Sequence, residues 1–224
     1  MENFAIAIDG PASSGKSTVA KAIAQRLDII YIDTGAMYRA ITFLLMEANI
    51  EFDQLDQIEA LLKQVDFKFN YINQELHLFV NERDVASEIR SVEVTRNVSE
   101  VSAIPIVREI LVEKQREIAK GVSVVMDGRD IGTVVLPDAK YKFFLTALPS
   151  VRAERRYQQN LKNNLTSQTL EEIEADIIRR DHYDSTREIS PLKKAEDAIL
   201  IDSSKMSIED VIEFIIQNIY ELNQ

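Results

Sequence analysis

Residues 5–27, AIAIDGPASSGKSTVAKAIAQRL, constrain this chain more than any other stretch. An apolar run at 4–8 reads as a buried strand. The octet Gly10, Pro11, Ala12, Ser13, Ser14, Gly15, Lys16, Ser17 follows it. Residues 15–27 then read as a helix with Val19, Ile23 and Leu27 on one face. The octet meets G-x-x-x-x-G-K-[ST] at every fixed position, and it stands between a strand and a helix as that motif requires. Backbone N–H groups at such a helix start converge on one point, and the helix dipole adds positive potential there, so the loop cradles a chain of phosphates. In that pattern Lys16 reaches the β- and γ-phosphates, Ser17 places its hydroxyl on Mg²⁺, and Thr18 closes the cradle. Lys16 is expected at the surface of the loop.

The rest of the chain repeats the alternation. Strands are expected at 29–32, 123–126, 142–145 and 198–201. Helices are expected at 38–48, 54–64 (Leu55, Ile58 and Leu62 as its stripe), 105–120, 151–160, 170–184 and 208–222. Strands alternating with helices imply an α/β fold: a doubly wound, five-stranded parallel sheet covered on both faces. The period changes to two in DFKFNY and ELHLFV, with INQ between them, which predicts an antiparallel hairpin inserted into the alternation. Residues 85–100 read only as short helical pieces. The stretch LKNNLTSQT joins two polar helices and reads as a flexible connection.

At 224 residues the chain suits a single domain, 1–224, with an insert. No apolar run approaches the ~18 residues that span a bilayer. Residues 1–3 carry no basic leader, and there is no cysteine, so neither a disulfide framework nor a thiolate metal site is available. A cytoplasmic protein is expected. The net charge of −11 argues against nucleic acid as a partner. It also gives weight to arginines that cluster among turn residues: in an acidic chain such a cluster faces an anion.

Three clusters qualify. In VSVVMDGRDIGTVVLPDA a buried strand ends in Asp127, an acid placed to hold Mg²⁺ directly or through water, with Arg129 and Asp130 just beyond it. In DTGAMYRA, Asp33 or Thr34 caps a helix, Gly35 permits close approach, and Arg39 follows a turn later, which marks a second anion site. In RAERRYQQN and IRRDHYDSTR, the residues Arg152, Arg155, Arg156, Arg179, Arg180 and Arg187 suggest a mobile lid over phosphates. His77 and His182 read as structural side chains. Asp9 either orders the octet or ends its strand.

The octet leaves open who receives the phosphate. No N-K-x-D or D-x-x-G occurs, against a guanine-nucleotide switch, and the acidity is against a nucleic-acid motor. A kinase needs a second anion pocket, which Arg39, Arg129 and the later arginines supply. No general base stands out. That suits an acceptor that is already an oxyanion, such as a phosphomonoester, leaving positioning and charge stabilisation as the work to be done.

IDGPASSGKST, DTGAMYRA, VSEVSAIPIVRE, DGRDIGTVVLPDA, RAERR and RRDHYDSTREISPL, in this order from Ile8 to Leu192, closely resemble the bacterial cytidylate kinase family. The resemblance implies a lid at 151–187 and a monophosphate-side insert at 60–95. It implies transfer of the γ-phosphate of ATP to CMP or dCMP; Arg155 and Arg156 are expected against ATP, and a monomer is expected. Ser99, Arg108 and Asp130 look like the cytosine-reading set, Arg180 and Asp184 like ribose contacts, and Arg39, Arg129 and Arg187 like a clamp on the acceptor phosphate with Thr34 nearby. Lys16, Asp127, Arg129, Arg180 and Arg187 would then carry catalysis. A kinase of another small acceptor, uridylate or shikimate, or a regulatory module that binds nucleotide without transfer, are the alternatives.

Overall fold

The computed structural model describes residues 3–72, 75–162 and 168–221. Parts of three expected features lie outside the described residues: 73–74 of INQ, 163–167 of LKNNLTSQT, and 222 at the end of the last helix. So do residues 1–2 of the N-terminus. The chain divides into two compact units, Met1–Tyr31 with Ala119–Gln224, and Ile32–Ile118.

The first unit is built on the parallel sheet. Its strands are β1 (Ala5–Asp9), β2 (Ile30–Asp33), β6 (Val124–Gly128), β7 (Tyr141–Thr146) and β8 (Ile199–Asp202), in the order β2-β6-β1-β7-β8. β1 is central. It pairs in parallel with β6 from Ala5↔Val124 to Asp9↔Gly128, and with β7 from Ile6↔Tyr141 to Asp9↔Phe144. Ile6, Ala7 and Ile8 are wholly buried, which is why this strand reads as an unbroken apolar run. Helix α1 (Lys16–Leu27) and helix α8 (Ile208–Glu221) pack together; α8 buries Val211, Ile212, Ile215, Ile216 and Ile219.

Gly10 turns β1 into the octet at φ +150°, where a Cβ would stand 2.0 Å from the Leu145 carbonyl oxygen. Only glycine fits there. Helices α6 (Pro149–Lys162) and α7 (Leu170–Thr186) form a hairpin with a small core of its own, Ala153, Ile173 and Ile177, flanked by Tyr157 and Leu170. Thr169 and Glu172 close a reciprocal cap at the start of α7.

The second unit holds α2 (Thr34–Glu47), α3 (Leu55–Leu62), a three-stranded antiparallel sheet, α4 (Val92–Val101) and α5 (Pro105–Ala119). The sheet joins β3 (Phe67–Ile72), β4 (Glu75–Val80) and β5 (Arg83–Asp84) in that order. α2 starts a turn earlier than the pattern predicts, because the Asp33 carboxylate accepts from the Ala36 N–H and caps it. Ile58 and Leu62 are buried as expected, but Leu55 is exposed. It is the first residue of α3. β5 was not expected; two residues are too few for a period-two signal. Residues left open at 85–100 form a 3₁₀ turn, Glu88–Arg90, followed by α4.

Candidate active site

The octet arches from β1 to the start of α1. Lys16 is not at its surface: the side chain folds inward, 5% exposed, and its Nζ donates to the Pro11 carbonyl at 2.8 Å. Burial, and then repulsion from Arg129, hold its pKa far below lysine's ordinary range. An ammonium in that state gains from any anion that reaches it. Ser14 Oγ, also buried, has no hydrogen-bond partner among the described residues. A phosphate oxygen would satisfy both groups. Ser17 and Thr18 are exposed at the mouth of the loop.

Asp127, buried in β6, accepts from Ser17 Oγ at 2.9 Å on Oδ2 and from the Tyr31 hydroxyl at 2.8 Å on Oδ1. A hydroxyl and a carboxylate side by side are the hard oxygen donors that suit Mg²⁺, which commonly takes one or two protein ligands and completes its shell with water and phosphate. Tyr31 was not foreseen. It sits in β2, and only the sheet order places it beside β6. Among the described residues no group of three His, Cys, Asp or Glu is placed to hold a metal. His77 Nδ1 lies 2.6 Å from Asp84 Oδ2, a pairing between neighbouring strands, and His182 is exposed on α7.

The arginines of α6 are already on the octet. Arg152 is buried and donates to the Ala147 and Ala12 carbonyls at 2.8 and 3.1 Å, while its other terminal nitrogen pairs with Asp181 at 2.7 Å. It braces the loop and is not a group held out to solvent. Arg155 donates to the Ser203 carbonyl at 2.7 Å and to the Ser14 carbonyl at 3.4 Å. Arg156 donates to Ser13 Oγ at 3.1 Å. Arg179 departs from the expected cluster: it is exposed and paired with Asp176 at 2.8 Å.

Beyond β6 the first unit places five expected residues in two sets of contacts. Arg129 Nε donates to Asp184 Oδ2 at 3.1 Å, and Arg180 Nε stands 4.0 Å from the same oxygen. Arg187 lies 3.9 Å from Asp130 and donates from Nε to the Ser190 carbonyl at 2.8 Å. Asp130 and Asp184 are buried.

The second unit carries the other four. Thr34 is buried at the start of α2, and Arg39 pairs with Asp33 at 3.1 Å. Arg108 is buried in α5, lies 5.4 Å over the Tyr38 ring and donates to the Ser102 carbonyl at 3.2 Å. Ser102 Oγ in turn donates to the Ser99 carbonyl at 2.9 Å. Ser102 therefore ties Ser99 to Arg108. Neither Tyr38 nor Ser102 was singled out from the sequence, since nothing in their spacing marks them.

Asp9 has a definite role. Its carboxylate accepts from the Ile131 N–H at 2.8 Å and from the Gly132 N–H at 2.7 Å. It thereby ties the strand that feeds the octet to the turn that bears Arg129 and Asp130. Burial, against the two N–H bonds, pushes its pKa up to about 7.

A sequence model of the cytidylate kinase family matches residues 6–221. A cytidylate kinase of Leuconostoc mesenteroides is 49% identical over 223 residues, 100% of this chain and 99% of that protein. One of Geobacillus sp. (strain WCH70) is 50% identical over 219 residues, 98% and 97% of the two chains. Among solved structures, an uncharacterised protein of Eubacterium ventriosum shares the fold at TM-score 0.55 and 14% identity, covering 98% of this chain and 99% of that one. A shikimate kinase of Bacteroides thetaiotaomicron does so at TM-score 0.50 and 14% identity, covering 97% and 98%. In this chain the octet stands at the end of the central strand of a parallel sheet, the fold these structures share. Matched along almost its whole length, the chain belongs to the cytidylate kinase family. It is accordingly an ATP-dependent phosphotransferase.

Proposed function

We propose that this protein transfers the γ-phosphoryl group of ATP to CMP or dCMP as a cytoplasmic monomer, and that its residues divide the work as follows. Gly10 to Thr18 hold the triphosphate, with Arg155 and Arg156 beside the loop. Lys16 exchanges the Pro11 carbonyl for the β- and γ-phosphates. Ser17 and Asp127 would hold Mg²⁺, which supplies charge neutralisation between the β- and γ-phosphates; Tyr31 fixes the Asp127 carboxylate.

Arg39, Arg129 and Arg187, with Thr34, bind the acceptor's phosphate. Arg180 and Asp184 take the ribose, and Ser99, Arg108 and Asp130 read the cytosine. The 60–95 segment is the monophosphate-side insert and 151–187 the lid. An oxygen of the acceptor phosphate forms a bond to the γ-phosphorus, and the bond from that phosphorus to the bridging oxygen of ADP breaks. No proton need leave the attacking oxygen, which is mostly ionised near neutral pH.

One observation supports this reading: Arg129 and Arg180 both approach the buried Asp184, and Arg187 approaches the buried Asp130, so the unit that holds the octet gathers three arginines on two carboxylates. The test is ADP release, measured with CMP, dCMP, UMP, shikimate or no acceptor. Release that depends on CMP or dCMP supports the reading; equal release without acceptor sinks it.

A further inference from the structure

The stretch from Asp184 to Leu192, DSTREISPL, closes on itself at the end of α7. The Leu192 N–H donates to the Asp184 carbonyl at 2.7 Å. Arg187 ends the helix, at φ −61° and ψ 145°. Further along, Ser190 sits at φ +49°. An L side chain seldom adopts that conformation. Pro191 makes it less favourable still, since the residue before a proline is driven to extended backbone. Such a conformation persists only where its surroundings impose it. Here the Ser190 carbonyl oxygen accepts from two nitrogens of Arg187, from Nε at 2.8 Å and from Nη2. Two donors of one rigid plane on one oxygen fix the rotation of the guanidinium about its last side-chain bond. The Arg187 side chain is only 5% exposed, so its orientation is set inside the protein.

We propose that Ser190 is a positioning residue for Arg187: its left-handed backbone turns its carbonyl onto the Nε–Nη2 edge and so sets the angle at which the guanidinium meets the acceptor's phosphate. The proposal rests on the reading of Arg187 as part of the phosphate clamp. A guanidinium binds phosphate through parallel N–H bonds in its own plane, and hydrogen bonds weaken steeply as they lose alignment. A rotated plane therefore holds the acceptor poorly although Arg187 is intact. The serine hydroxyl plays no part; the backbone carbonyl does. Pro191 then leads the chain to Leu192, whose N–H closes the loop on Asp184. Asp184 is the residue whose carboxylate Arg129 and Arg180 approach, so one short turn orders both sets of arginine contacts.

The experiment measures kcat/KM for CMP and the dissociation constant for ATP in wild type, Ser190→Gly, Ser190→Val, Arg187→Ala and the two Ser190 variants on the Arg187→Ala background. Glycine takes a positive φ at no cost and keeps the carbonyl, whereas a β-branched residue resists it. kcat/KM for CMP is expected to be roughly tenfold lower in Ser190→Val than in Ser190→Gly, the size of one hydrogen bond to a charged group. ATP affinity is expected to differ by less than about twofold between them. On the Arg187→Ala background the two variants are expected to be equal, because Ser190 acts through Arg187. If Ser190→Val does not fold, Ser190→Thr decides the matter: it keeps the hydroxyl, adds the branch, and is expected to fall in the same direction. Equal values in the glycine and β-branched variants overturn the proposal. So does a loss shared equally by CMP and ATP, or a difference that survives without Arg187, since each makes Ser190 merely structural. An unmoved kcat/KM for CMP in Arg187→Ala itself overturns the reading of Arg187, and the proposal with it.

Discussion

Lys16 shows how a single residue joins folding to chemistry. Its ammonium is buried, leans on the Pro11 carbonyl and is held below its usual pKa by burial and Arg129. That is an unfavourable place for a charge until phosphates arrive. Lys16→Ala is expected to lower turnover on the order of 10²–10³-fold, the loss typical of one electrostatic contact to a transition state. The folded protein should lose little thermal stability, because the removed charge was poorly solvated. Turnover and a melting curve on the same preparation check both halves. Asp130→Ala is expected to cost CMP about 2 kcal/mol more than UMP, as for a hydrogen bond to a charged group; kcat/KM with each acceptor measures it. The octet's purpose was legible because its residues are adjacent in the chain. The inward fold of Lys16, the Tyr31 brace and the Asp9 cap were not, since each depends on a partner that only the sheet brings near.

At the scale of elements, the α6–α7 hairpin is held at its base by Arg152, which bonds the Ala12 carbonyl and Asp181 together. The sequence grouped Arg152 with the arginines offered to phosphate, because an arginine among arginines looks alike whether it braces or binds. Only its burial separates the two roles. Arg152→Ala leaves Asp181 without its cation and the Ala12 carbonyl without its donor. Breaking a buried pair by removing one partner costs about 3–5 kcal/mol. A discount applies here, because Asp181 keeps 22% exposure of its side chain. The expected outcome is a loss of about 2 kcal/mol in denaturant unfolding together with weaker ATP binding. Arg156→Ala, which removes a partly exposed side chain bonded to Ser13 Oγ, should leave stability within ~0.5 kcal/mol, as for most partly exposed substitutions. If both variants unfold alike, the distinction between brace and binder fails.

For the whole molecule, Asp9 sets a pH dependence. Its folded pKa, pushed up to about 7 chiefly by burial, exceeds the ordinary aspartate value of 3.8. The folded state therefore holds this proton more tightly than the unfolded one. The corresponding stability is present in full below pH ~4 and is lost as pH rises through about 7. Asp9→Asn removes that slope. Relative to the wild type, the variant should gain ground by a few kcal/mol in unfolding free energy between pH 4 and 8, whatever constant amount it loses with one hydrogen bond. Urea unfolding across that range measures the difference, and a pH-independent difference would show that Asp9 titrates normally.

The alternation of strands and helices made the sheet readable from sequence, and the change of period made the β3–β4 hairpin readable. β5 and the division into two compact units were not, since a two-residue strand has no period and a unit boundary inside Ile30–Asp33 leaves no mark in composition.

The position of β1 at the middle of its sheet governs when the protein can come into being. β1 precedes both its neighbours in the chain, and β6 and β7 begin only at Val124 and Tyr141. The long stretch between Asp9 and Val124 must be made before Ile6, Ala7 and Ile8 find their partner strands. Through that interval a strand whose Ile6, Ala7 and Ile8 are wholly buried in the finished fold, and the phosphate cradle attached to it, wait as an open edge, the kind of segment that sticks to other chains. The residues made meanwhile, Ile32–Ile118, are the ones that complete the other compact unit on their own. Closure over such long sequence separations is slow. The nucleotide loop thus depends for its supporting strands on residues made well over a hundred positions later.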